Sequence, residues 1–195
     1  MTTHHLSVPI NDSQVDNLQI GDTVYLTGKI YTARDMAHFE IEKLLSVAKP
    51  LPVDLAGQVI FHAGPVMRKV DGQWEIVVVG PTTSIRMEPY AQMIGELGVK
   101  LIIGKGGMAQ DSQKAFQQCA QAYLQAAPGC AVQIGSGVKK VVSVRWLENG
   151  MPEAMWEMEV ENFGPFIVTM DNKGNSRYEA VKKAANRKII EFYGQ

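Results

Sequence analysis

One stretch limits what this chain can become: Gly80-Pro81-Thr82-Thr83-Ser84-Ile85-Arg86-Met87. The residues before it, Trp74 to Val79, read as a buried strand. After it, Met87, Tyr90, Ile94 and Leu97 fall at helical spacing, the pattern of an amphipathic helix. A strand that ends in a hydroxyl-rich turn opening a helix presents free backbone N–H groups and the positive end of the helix dipole. That is a site for an anion. Arg86 adds a planar fork matched to a carboxylate or phosphate. On spacing alone the same residues read first as a helix cap beside a solvated arginine, because Thr82, Thr83 and Ser84 are all good cap residues. Pro89 favours a first helical position. The regular helix is therefore expected to begin near it, with residues 82–86 a loop or irregular turn.

Composition removes several function classes. The chain has 195 residues, 46% hydrophobic and 20% charged, enough for one good core; a single domain over 1–195 is expected. A net charge of −1 and the absence of any basic run argue against nucleic acid. No apolar stretch approaches the roughly 20 residues of a membrane span. The first residues, Met1-Thr2-Thr3-His4-His5-Leu6, lack the charged and apolar regions of a signal peptide, so the expectation is a cytoplasmic protein. Cys119 and Cys130 read as core thiols, and two cysteines are too few for an iron–sulfur cluster. The four histidines show no paired metal-ligand spacing, with His4 and His5 in a frayed terminus, so no metal is expected on this chain alone.

Along the chain, Leu6 to Val8 and Thr23 to Ile30 read as strands, joined by a polar connection. Thr32 with Asp35 resembles a capping box for a helix whose apolar stripe is Ala37, Ile41, Leu44, Leu45 and Ala48. Arg34 and His38 lie one turn apart on its flank, and Arg34 in the first turn opposes the dipole, which either Asp35 or a bound anion would offset. For Arg34 the alternative is a surface salt bridge; for His38 it is a satisfied, partly buried ring. Gln58 to His62 is a strand, Asp71-Gly72 a hairpin turn, and Val99 to Ile103 a strand running into Gly104-Lys105-Gly106-Gly107. This glycine turn lacks P-loop spacing and reads as an exposed lysine or an anion contact. A helix capped by Asp111 or Ser112 is expected to run to about Ala127. Strands follow at 131–134, 138–146, 155–160 and 166–170, then a closing helix over 176–193 with Ala180, Ala184, Ala185, Ile189 and Phe192 on its apolar side. This order indicates layered α/β with a mixed sheet.

Four segments carry a family resemblance: Thr27 to His38, with Arg34-Asp35-Met36-Ala37-His38 at its end; His62-Ala63-Gly64-Pro65; Gly80 to Met87; and Gly104 to Met108. In this order they resemble the β subunit, or C-terminal domain, of class I fumarases and L(+)-tartrate dehydratases. The likeness covers nearly the whole chain, including Gly150 to Trp156 and the Asp171 to Asn175 turn. It implies a swivelling β/β/α domain with a mixed sheet. It further implies an α subunit carrying a [4Fe-4S] cluster, an α2β2-type assembly, and reversible hydration of a C4 dicarboxylate: fumarate/malate first, L(+)-tartrate as the alternative. A non-catalytic anion-binding module is the reading from a different class.

By resemblance, Arg34, Arg86 and Lys105 match carboxylate-binding positions, Thr83 adds a substrate contact, and Thr82 matches a hydroxyl proposed for proton transfer. A threonine hydroxyl acts so only if neighbouring cations lower its pKa or it relays a proton from the partner. His38 and Asp35 stand behind these contacts. Fumarase fusion proteins usually carry tyrosine at the position of His62 and Gly-Asn after the lysine, where this chain has Gly106-Gly107. Both departures sit nearer to the two-subunit enzymes and bear on the substrate rather than the reaction class. Malate and tartrate differ by one hydroxyl, which a single polar contact can read.

Overall fold

The computed structural model describes residues 1–194. Two long strands, β2 (Thr23–Thr32) and β9 (Met155–Met170), frame the molecule by pairing antiparallel along their length. The far edge of β2 is shared by β1 (Thr3–Ser7) and β3 (Val59–Phe61), both parallel to it. β3 continues in parallel to β6 (Leu101–Gly104), and β6 to β7 (Ala122–Gln125). β7 returns antiparallel to the second half of β9, whose first half pairs with β8 (Val138–Arg145). The mixed seven-stranded sheet therefore closes like a barrel. Closure leaves the central parallel strands covered on both faces, which explains their unbroken apolar runs. Val59 and Phe61 point into the interior with Leu101, Ile103, Trp156 and Phe163, while Ile60, Ile102 and Tyr123 face the helices.

The helices are α1 (Asp12–Asp16), α2 (Asp35–Ser46), α3 (Ala91–Glu96), α4 (Gln110–Cys119), α5 (Ala131–Ser136) and α6 (Arg177–Tyr193). A hairpin of β4 (Ala63–Val70) and β5 (Gln73–Pro81) turns at Asp71-Gly72 as expected and stands as a separate two-stranded sheet. Among the described residues no helix is long and apolar enough to cross a membrane.

Several local expectations are corrected. Residues 74–79 are not a central buried strand: they lie in the half-exposed β5, and of these six only Val79 is buried, at 0% exposure. The polar connection before β2 contains α1, closed by a capping box from Asn11 and Gln14. The helix expected to reach Ala127 stops at Ala120, in a left-handed conformation, and the chain turns into β7. Pairing with β6 and β9 overrides the helix propensity of those residues. Neither Asp111 nor Ser112 caps α4; Glu88 does, accepting from the Ala109 and Ser112 amides at 2.8 and 2.9 Å and from the Ser112 hydroxyl at 2.5 Å. Residues 131–134 are helical, in α5, and the two late strands are one, β9. His4 is not frayed: it lies in β1 and meets Asp22 at 3.0 Å. Cys119 and Cys130 are free thiols of intermediate burial, Cys130 packed against the edge of the core. α6 forms as expected, but its apolar residues stay exposed, Ile189 by 54% and Phe192 by 82%.

Candidate functional site

The parallel strands β2, β3 and β6 end on one side of the sheet, and the four singled-out segments follow those ends or the end of β5. In α/β folds, closed or open, ligands bind at the carboxyl ends of the parallel strands. Main-chain hydrogen bonds draw three segments together. The Thr82 amide donates to the His62 carbonyl at 2.7 Å, the Lys105 amide to the Thr82 carbonyl at 3.3 Å, and the Ser84 amide to the Lys105 carbonyl at 3.0 Å. Thr83 and Lys105 form an isolated β-bridge. A 3-10 helix over Ser84–Tyr90, with Pro89 inside it, leads into α3 at Ala91, so the regular helix does start beyond Pro89.

The fourth segment is tied in by charge. Arg86 makes a two-pronged contact with Asp35 at the start of α2, its Nε donating to Oδ1 at 3.0 Å and its Nη2 to Oδ2. The Thr32–Asp35 capping box is not formed. Thr32 is buried in β2, where its hydroxyl accepts from the Trp156 amide at 3.1 Å, and the N-cap residue of α2, Arg34, makes no side-chain cap hydrogen bond of its own. Arg34 pairs not with Asp35 but with Glu153, with Nη2 to Oε1 at 3.0 Å. The other oxygen of Glu153 accepts from the Met36 amide at 3.2 Å. A carboxylate of this chain thus sits at the N-terminus of α2 beside an arginine, the arrangement that a helix end and a guanidinium favour. Gly64 leaves room for it: a Cβ there would lie 2.5 Å from Arg34 Nη1 and 3.0 Å from Pro152. Lys105 is half-buried and, among the described residues, has no ion-pair or hydrogen-bond partner for its ammonium. The hydroxyls of half-buried Thr82 and exposed Thr83 are likewise unbonded among the described residues.

His38 is more deeply placed than expected, 1% exposed, with Nδ1 donating to the Arg34 carbonyl at 2.8 Å. Its ring stacks near Tyr90 and meets the edge of His62 at a centroid distance of 5.4 Å. His62 belongs to a buried polar chain that the motif reading did not separate out. Its Nδ1 lies 2.9 Å from Ser84 Oγ, to which Tyr123 donates at 2.9 Å. Gly104 was the available signal: a Cβ on it would overlap the Ser84 hydroxyl and stand 2.9 Å from Tyr123 Oη.

Both histidines are held neutral. Burial lowers the pKa of His38 to about 4, against the Arg34 carbonyl and the Asp35 charge, which act the other way. Burial, with the neighbouring His38, puts His62 well below the ordinary 6.5. Burial also raises Tyr123, so its phenol stays protonated. As pH falls below about 6.5, an unfolded chain takes up protons that the folded chain refuses, so stability must fall with pH. The slope is expected to approach about 1.4 kcal/mol per pH unit for each histidine. Denaturant titrations between pH 7 and 4.5 check this: a slope that His38→Gln roughly halves is expected, and a flat profile contradicts it.

Among the described residues no three His, Cys, Asp or Glu side chains gather into a group that could hold a metal ion. A groove of about 930 Å³ lies beneath α6, away from Arg34, Thr82, Arg86 and Lys105, and takes in Met108, Gln113 and Lys183. At the candidate site Thr83 and Arg86 are exposed, and Arg34, Thr82 and Lys105 half-buried.

Comparison with known proteins places the chain. The fumarase C-terminus family model matches residues 2–181. The putative L(+)-tartrate dehydratase subunit beta of Methanocaldococcus jannaschii is 46% identical over 187 residues, covering 95% of this chain and 96% of that protein. The L(+)-tartrate dehydratase subunit beta of Escherichia coli strain K12 is 41% identical over 179 residues, covering 91% of this chain and 88% of that protein. The putative fumarate hydratase class I of Geobacillus stearothermophilus is 42% identical over 189 residues, covering 96% of this chain but only 36% of that longer protein. With the family model spanning most of the chain and relatives matched nearly end to end, this chain belongs to the fumarase C-terminus family.

Proposed function

We propose that this chain, acting as one domain, is the β subunit of a two-subunit hydro-lyase that adds or removes water on a C4 dicarboxylate. One observation carries the reading: the Thr83–Lys105 bridge joins the segments of Thr82, Thr83, Arg86 and Lys105 at the strand ends, and the Arg86–Asp35 pair ties the start of α2, next to Arg34, to the same place. Relatives named as β subunits of L(+)-tartrate dehydratase and as a fumarate hydratase supply the reaction class and the expectation of a partner chain.

In this reading Arg86 and Lys105 bind a substrate carboxylate, Thr83 adds a contact, and Arg34 reaches the ligand if Glu153 gives way. Removing a proton next to a carboxylate builds charge on that carboxylate. Donors fixed in advance stabilise such charge more in the transition state than in the ground state. Thr82 is the hydroxyl assigned to the proton; its carbonyl accepts from the Lys105 amide, and the charge of a lysine on that neighbouring segment would favour the ionised form. His38 and Asp35 hold Arg34 and Arg86 from behind. The residues of this chain do not fit an iron–sulfur cluster, since its two cysteines lie on different elements, Cys119 ending α4 and Cys130 preceding α5. A [4Fe-4S] cluster would belong to the α-type partner, and the strand ends are where that partner would close as this domain swivels. An α2β2-type assembly and a cytoplasmic setting, consistent with two free thiols, complete the proposal.

The test is turnover by the assembled pair of chains on L(+)-tartrate and on L-malate, measured anaerobically. Dehydration of either diacid is the expected result, and the faster one names the substrate. A stable pair that dehydrates neither contradicts the assignment.

A further inference from the structure

We infer that Ser84 is a positioning residue for the Thr82–Lys105 face, held by Tyr123 and in turn fixing His62. The activity part of this inference rests on the function proposed above; the structural part does not. Ser84, Tyr123 and His62 are 0%, 0% and 1% exposed, so bulk solvent does not reach them. The direction of the chain follows from counting protons. Among the described residues the only side-chain partner of the Tyr123 hydroxyl is Ser84 Oγ, at 2.9 Å, so the phenol donates. Ser84 then has one proton and one remaining acceptor, His62 Nδ1 at 2.9 Å. His62 must therefore carry its own proton on Nε2. The reverse order would leave the Tyr123 proton buried without an acceptor.

This chain closes a ring around Thr82. His62 is bonded to Ser84 through its side chain and to the Thr82 amide through its carbonyl, at 2.9 and 2.7 Å. Ser84 is bonded to His62 through its hydroxyl and to the Lys105 carbonyl through its amide, at 2.9 and 3.0 Å. Thr82 is thus pinned between two strand ends by a serine two residues away. Removing the Ser84 hydroxyl opens the ring and strands two buried polar groups.

Ser84→Ala and Tyr123→Phe, made in the full chain and assembled with its partner, test the inference. Ser84→Ala is expected to lower kcat about 10- to 100-fold, the scale of a small misplacement of reacting groups, with KM nearly unchanged. Tyr123→Phe is expected to lose less, because the Ser84–His62 bond survives, and it carries the test if Ser84→Ala does not fold. In either variant the Thr82 and Lys105 amides should exchange with solvent faster relative to those of β2, and ¹⁵N spectra of wild type should show His62 protonated on Nε2. A lower Tm with unchanged kcat and unchanged exchange at Thr82 and Lys105 would make the chain mere packing and overturn the inference. So would His62 protonated on Nδ1. If the wild-type pair dehydrates neither diacid, the proposed function fails, and amide exchange and the tautomer alone decide whether Ser84 braces Thr82.

Discussion

Arg86→Ala is expected to cut turnover of the assembled enzyme about 100- to 1,000-fold, the loss seen when one fixed donor to a developing anion is removed. Stability should hardly move. The Arg86 side chain is 46% exposed and its partner Asp35 35% exposed, and an ion pair this open contributes at most about 1 kcal/mol. Asp35→Asn is the control: it removes the same ion pair but keeps the guanidinium, so it should cost far less activity. A melting curve and a size-exclusion profile for each variant show whether fold and assembly survive. If Arg86→Ala unfolds the chain, the arginine is a structural tie between α2 and the 3-10 helix. If it leaves turnover unchanged, the anion-site reading of residues 80–87 is wrong.

Gly104→Ala adds one methyl group where the structure has no room. The new Cβ would overlap the Ser84 hydroxyl and crowd Tyr123 Oη at 2.9 Å. Neither side chain can swing aside, since Ser84 is short and both are fully buried. Overpacking costs about 1–3 kcal/mol and breaking a buried hydrogen bond about as much again, so a loss of about 2–6 kcal/mol is expected. Chemical denaturation measures it. Gly129→Ala provides the comparison for the added methyl: no atom lies within 4 Å of its Cβ position, although its φ of +86° brings a separate backbone strain. A cost for Gly104→Ala below about 1 kcal/mol would show that the Ser84–Tyr123 contact is looser than drawn.

The fold class was legible because closure of the sheet leaves a compositional trace. Val59-Ile60-Phe61 and Leu101-Ile102-Ile103 are apolar on both faces, and the Asp71-Gly72 turn announces its hairpin. What was illegible depended on partners distant in sequence. Residues 122–125 have helical composition and become a strand only because β6 and β9 flank them. Trp74 to Val79 has the apolar content of a core strand, yet the hairpin it forms leaves the main sheet. The site shows the same division. Thr82, Arg86 and Lys105 could be named from local pattern and family likeness, and the structure does bring their segments together. Glu153 as the partner of Arg34 could not, since 119 residues separate them. Nor could Tyr123 as the partner of Ser84, across 39 residues. Glu88 was equally hidden, because it caps α4 from outside that helix.

The most direct measurement of the central claim is a mixing experiment. Each chain of the pair is purified alone under anaerobic conditions, the α-type chain loaded with its cluster, and dehydration of L(+)-tartrate and L-malate is followed as this chain is titrated in. The account predicts no turnover from either chain alone and activity that rises with added chain and saturates at equal amounts. Full activity of the partner alone, or a stable complex whose activity is indifferent to this chain, would contradict it.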